Sequence, residues 1–439
     1  MVENAVDVPV RVEAKAWSWW ERVGFRFAFA YWTLFFITNS GFNLLLWFWP
    51  WLSWHLSGAI SWPVQQLSIW VGRHVFHLRG AAAGPQQTGS GDTALAWVGC
   101  LTAVVISLAA CGLWSAASEI RARRREYATL YAWLRLGMRF LLASVLLAYG
   151  FSKVFDLQFP PPPSYRLNET YGDSSPMALL WTFMGASAPY TIFSGFAEVV
   201  PGLLLLFRRT STIGALISSA VMLNVVMLNF CYDVPVKLYS TELLLMSLFL
   251  LLPDVAPLWR FLVLRRDAAL TGVWVKRSER KPLRIAAYCL QALVIGYLLF
   301  SNATGGYLQR KERLAAAAPN TAALAGTWIV DSSTGWPTAE QWKSVNFDLT
   351  PYQGKNYATV TQTTGKPMWY SVTLDASSRD IHFVAKQGSE LHWEQDGAGY
   401  VDLKGSWAGS PASLRMHQQP PVPLLSRGFH WVQEYPYNR

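Results

Sequence analysis

The chain has 439 residues, of which 52% are hydrophobic and only 15% charged, with a mean hydropathy of +0.19. Soluble domains carry about 25% charged residues, so this deficit, together with several apolar runs of about 20 residues, excludes an ordinary soluble protein and marks a polytopic membrane protein. The net charge of +10 does not point to nucleic acid, because Lys and Arg cluster between the apolar runs, where they set orientation across a bilayer.

Residues 1–23 are polar to amphipathic. Arg11, Lys15, Arg22 and Arg26 make this end basic and place it in the cytoplasm, with Trp17, Trp19 and Trp20 at headgroup level. The run from about Gly24 to Trp49 is too long and too Trp-rich for a cleaved signal. It is predicted as the first of seven spanning helices, with Trp47, Trp49, Trp51 and Trp54 as an aromatic belt. Residues 51–93 mix apolar and polar side chains around Pro63, so residues 51–80 are predicted to lie on the outer face as one or two interfacial helices. A second span follows over 94–118. It ends at the run RARRR, which closes the section 24–127 on the cytoplasmic side.

Residues 128–259 read as a four-helix core. Its helices are predicted over 130–155, 189–207, 212–231 and 238–252, and a proline-rich loop, Gln158–Pro189, joins the first two. A basic cytoplasmic loop and a seventh helix, 282–303, occupy 260–304. Seven helices with the amino end inside put Arg208-Arg209 and KRSERK on the cytoplasmic side and the carboxyl end outside. Residues 305–323 are predicted to be a linker. From 324 to 439 the pattern changes to period two, in TWIVD, SVNFDL, YATVTQ, WYSVTL, DIHFVAK, ELHWEQ, YVDLKGSW and SLRMHQ. These short antiparallel strands predict a barrel or sandwich, best a lipocalin-like meander with a filled interior. The expected fold class is therefore mainly α: a transmembrane bundle with a C-terminal all-β domain.

Ionisable and amide groups inside lipid-length helices are expensive and mark candidate sites. Lys153, Asp156, Glu198, Asn224, Asn229, Asp233, Tyr239 and Glu242 are the candidates here. At about 1.5 Å of rise per residue, they fall in the outer half of the core, under the 158–188 loop. The inner half reads as nearly pure Leu, Ile, Val and Phe, so the pattern predicts an outward-facing polar pocket rather than a pore. Lys153 and Glu198 are predicted to pair. The alternative is that these groups only bind helices to one another. None of the seven His residues falls in a predicted span, which argues against a haem or metal in the bundle. The four Cys form no CxxC and read as small buried hydrophobes.

YGFSKVFDLQF, FAEVVPGLLLLFRRTSTIGAL and the Asn-bearing helix that follows resemble the DoxX-like membrane proteins over about residues 130–254. The resemblance implies a compact four-helix unit, with Lys153 and Glu198 at the family's polar helix positions. Some relatives are linked to quinone-coupled sulfur or thiol oxidation, and others resemble maturation factors. Two functions follow as expectations. One is a scaffold or assembly factor for another membrane or periplasmic protein at the bacterial inner membrane. The other is a quinone-linked redox subunit, with a quinone headgroup against Lys153, Glu198, Asn224 and Tyr239.

Overall fold

The structure is a computed structural model. It describes residues 17–38, 49–85, 88–120, 127–270, 273, 275, 279–316, 324–337, 340–352, 355–365, 367–375, 378–384, 388–396, 399–428, 430, 431, 433 and 434. Residues 1–16, RARRR, the first half of KRSERK and the last part of the predicted linker lie outside the described residues. The chain forms two compact units, Met1–Leu147 with Glu198–Gly296 and Ala148–Ala197 with Tyr297–Arg439.

The helices are α1 (Trp19–Thr38), α2 (Pro50–His74), α3 (Ala94–Ile120), α4 (Ala128–Val154), α5 (Ser164–Leu167), α6 (Pro176–Gly185), α7 (Ala188–Leu206), α8 (Ser211–Cys231), α9 (Lys237–Leu251), α10 (Val255–Leu262), α11 (Lys281–Ala316) and α12 (Pro423–Ser426). Among the described residues, six helical segments are long and apolar enough to cross a membrane: Ala94–Glu119, Ala128–Val154, Ala188–Leu206, Ser211–Cys231, Lys237–Leu262 and Lys281–Ala315. They correspond to six of the seven predicted spans. The first predicted span is represented by α1, which is outside that set. Residues 39–48, its far end, lie outside the described residues.

In the first unit, α4 buries a continuous stripe of Met138, Leu141, Leu142, Leu146 and Leu147. Spacings of three, four and seven put these side chains on one helix face. Gly202 lets α7 approach that stripe, since a Cβ there would sit 3.2 Å from Leu147 and 3.3 Å from Leu146. Leu205, Leu206 and Met246 complete the centre with no exposed surface. Leu101, Val105, Leu108 and Leu113 of α3 point outward, exposed. Such an apolar outer surface suits lipid, not water. The hairpin of α8 and α9 turns in a few residues, and Asp92 caps α9 from far away in sequence. Its carboxylate accepts from the Lys237 amide at 2.7 Å and the Leu238 amide at 3.0 Å, satisfying two orphan donors where the helix dipole is positive.

Of the one or two helices expected over 51–80 the structure has one, α2, which runs through Pro63. Two expectations are corrected. The 158–188 loop is not irregular throughout. Ser175 accepts from the Ala178 amide at 3.2 Å and Pro176 opens α6, the arrangement that starts a helix efficiently. The predicted linker is helical to Ala316, because Gly305-Gly306 do not stop α11. A side chain at Gly306 would overlap the Phe155 ring, so glycine serves close packing there and not a turn.

The second unit holds a closed barrel of eight antiparallel strands in sequence order, β1 (Gly326–Thr334), β2 (Trp342–Tyr352), β3 (Lys355–Gln362), β4 (Pro367–Asp375), β5 (Asp380–Phe383), β6 (Glu390–Gln395), β7 (Tyr400–Trp407) and β8 (Ser410–Gln418). β8 pairs with β1 to close it. Alternate residues point inward, and Trp328, Phe347, Ile381, Leu391, Trp407 and Met416 are all but fully buried. The Trp407 ring lies 4.5 Å from Trp336 and 5.3 Å from Trp342. Its indole donates to Glu340 Oε2 at 2.9 Å. The interior is thus filled by side chains, as the sequence reading favoured. The 158–188 segment docks on the barrel. Asn168 and Gln419 exchange amide hydrogen bonds of 2.8 and 2.6 Å, and Tyr165 meets Trp369 edge-on at 6.2 Å.

Candidate functional site

The eight candidate residues divide between the units. Lys153 and Asp156 belong to the second, and Glu198, Asn224, Asn229, Asp233, Tyr239 and Glu242 to the first.

In the second unit Lys153 is buried, with its ammonium 5.9 Å from the Tyr149 ring centroid. Asp156 ends the turn after α4 with φ of 54°. The Leu157 amide donates back to the Ser152 carbonyl at 2.8 Å, so this is a left-handed helix stop, a position Asp tolerates better than most residues. Arg310 of α11 pairs with Asp156 Oδ2 at 3.4 Å. Arg313 donates to the Asp156 carbonyl oxygen at 2.5 Å. Asp233 repeats the stop after α8, with φ of 50° and a Val234 amide donating to the Asn229 carbonyl at 2.9 Å. It is exposed and takes an ion pair from Lys237 at 2.8 Å. Both aspartates therefore have a structural explanation that sequence reading did not supply.

In the first unit Asn224 is exposed and Tyr239 half-buried, while Glu198 and Asn229 are buried. Asn229 Nδ2 has no hydrogen-bond partner. The most developed arrangement surrounds Glu242. Its Oε1 accepts a hydrogen bond from the Tyr31 hydroxyl of α1, and the Cys100 thiol of α3 lies 3.9 Å away. Its Oε2 is buried and has no hydrogen-bond partner. A carboxyl group, a phenol and a thiol from three helices thus share one interior site. The vacant lone pairs of Oε2 can hold a proton or accept a donor from a bound molecule. Tyr31 and Cys100 were not among the predicted residues. They lie 211 and 142 positions from Glu242, and no local pattern connects them.

The half of α4 predicted to face inward is not nearly pure Leu, Ile, Val and Phe. Arg135 and Arg139 sit in the first half of α4, both buried. Their spacing of four puts them on one face, and RLGMR was the signal available in the sequence.

Among known proteins, apolar spans with a C-terminal β barrel define this chain as a membrane-embedded protein with an appended β domain. It is similar to the uncharacterized protein YwoB of Bacillus subtilis (strain 168), with 37% identity over 117 residues, or 26% of this chain and 73% of that one. The chain belongs to the same family as YwoB. No protein-family model matches it. No solved structure matches it either.

Proposed function

We propose that the protein is a DoxX-like membrane scaffold or assembly factor of the bacterial inner membrane. The helical core anchors it, and the barrel meets a membrane or periplasmic partner on the outer side. The filled barrel carries this reading. Trp328, Trp407 and Phe347 occupy its centre, which favours action through its surface. The basic segments between spans support an inward amino end. Native mass spectrometry of gently purified protein, with organic extraction, tests it. A stoichiometric second polypeptide is expected. Isolation of the chain alone under mild detergent, at native expression levels, would count against it.

A quinone-linked redox role is the second reading, and the unpartnered Glu242 Oε2 beside the Tyr31 hydroxyl favours it. A quinone or quinol headgroup needs donors and acceptors of this kind, and a partner would supply or remove the electrons. Here the extract would contain quinone in the wild type and lose it in Glu242→Gln with the fold intact. An extract free of quinone in the wild type removes this reading.

A further inference from the structure

The first unit contains an open groove of about 1520 Å³ that the functions above do not use. Its walls come from α4, the end of α7 and the residues just after it, the start of α8, α11 and Leu270, Val273 and Val275, with Phe36 of α1 and Leu250 of α9. Five arginines line it, Arg135, Arg139, Arg208, Arg209 and Arg284, and none of its described lining residues is acidic. Most of the remaining wall is apolar, including Phe140, Leu205, Leu290 and Val294.

Arg135 is the informative residue. It is 8% exposed, and its Nη1 has no hydrogen-bond partner. The guanidinium lies 5.6 Å from the Tyr131 ring centroid, which stabilises the cation but leaves that nitrogen unused. Arg139 follows one turn later on the same face. Arg208 and Arg209 stand at the end of α7. α8 begins at Ser211 without a side-chain cap on its first amides, and those amides add positive potential. Asp254 is absent from the lining, and its carboxylate accepts from the Thr212 hydroxyl at 2.7 Å.

Burying a cation is costly unless an anion with matching hydrogen bonds accompanies it. Guanidinium groups match the paired oxygens of a phosphate. Acyl chains match the apolar wall above. Basic pockets between spanning helices take lipid headgroups on this principle. We propose that the groove binds an anionic phospholipid, with its phosphate at Arg135 and Arg139 and its chains along Phe140, Leu205, Leu290 and Val294.

The test uses the full-length chain in detergent and native mass spectrometry against dioleoyl phosphatidylglycerol, dioleoyl phosphatidylcholine and inorganic phosphate. Phosphatidylglycerol should be retained in preference to phosphatidylcholine. Arg135→Gln should weaken that retention by about tenfold or more, the worth of one charge-assisted hydrogen bond. Arg135→Lys should fall between the two, and Arg415→Gln on the barrel should match the wild type. The double variant Arg208→Gln/Arg209→Gln alters exposed positions and keeps the question answerable if Arg135→Gln does not fold. Retention unchanged in the double variant or in a folded Arg135→Gln overturns the proposal. So does equal retention of the two lipids. Displacement of phosphatidylglycerol by inorganic phosphate alone would make free phosphate the ligand and also overturn it.

Discussion

Asp156 faces Arg310 at 3.4 Å across the end of α4 and the last turns of α11. The aspartate is mostly buried and the arginine about half exposed, so the pair is partly screened. Backbone geometry makes a second demand at the same residue, because φ is 54°. Asp156→Ala loses the ion pair and keeps the strained conformation, whereas Asp156→Gly loses only the ion pair. The glycine variant should therefore be the more stable of the two by about 1 kcal/mol. Thermal unfolding of the full chain, followed by proteolysis of the barrel, measures the difference. Equal stability would remove the argument from conformation.

Tyr31→Phe should cost about 1–3 kcal/mol, because it leaves the buried Glu242 carboxyl group with only the weak Cys100 thiol as a donor. Glu242→Leu should cost less, since an apolar residue of similar volume removes the polar group altogether. Detergent-solubilised melting curves of the two variants rank them. The reverse order would mean that the carboxyl group itself holds the three helices together.

Trp407 touches Trp336, Trp342, Tyr370 and Phe383 inside the barrel. Trp407→Ala should destabilise the domain by about 3–5 kcal/mol through the cavity it leaves. Trp407→Phe should recover part of this while losing the bond to Glu340. Urea unfolding followed by protease sensitivity in the barrel is the measurement. A loss below about 1 kcal/mol for the alanine variant would show that the interior can collapse around the void.

His392 and Asp380 pair across β5 and β6 at 3.0 Å, beside a second cross-strand pair of His382 with Glu390 at 3.6 Å. Hydrogen bonds from Ser378 and then His392 hold the Asp380 carboxyl below the usual carboxylate range. A depressed folded value means the contribution is present above the unfolded value of about 3.9 and is lost as pH falls through the folded one. Protection from hydrogen exchange at β5 and β6, taken relative to the intrinsic rate at each pH, should therefore fall below about pH 4 in the wild type. In Asp380→Asn it should be less sensitive over the same range. Parallel profiles would show that the pair does not stabilise these strands.

The barrel was legible because its signal is local. Period two along TWIVD or YVDLKGSW, broken by turn residues, needs no knowledge of what packs inside. The long spans were legible for the same reason. α6 was hidden in a proline-rich stretch, although Ser175-Pro176 is a helix start. The Gly305-Gly306 pair looked like a break, and only the Phe155 ring against it explains why the helix continues. The candidate site was the least legible part. Glu242 stood out as a charge in an apolar helix, but its Tyr31 and Cys100 neighbours come from α1 and α3. Arg135 and Arg139 were visible as a spacing of four, yet reading charges by their distance from the predicted outer surface left them out.

The pairing of β1 with β8 has a consequence for biosynthesis. Seven strands can join their neighbours as each one emerges, but the ring stays open until residues 410–418 have been made. Until then β1 and β7 both present bare edges, the surface most prone to recruit strands from other chains. A ribosome stall or nonsense codon anywhere in β2–β8 would thus leave the anchored helices intact and attached to an adhesive, unfinished sheet, and such products should be the ones that cellular quality control removes fastest.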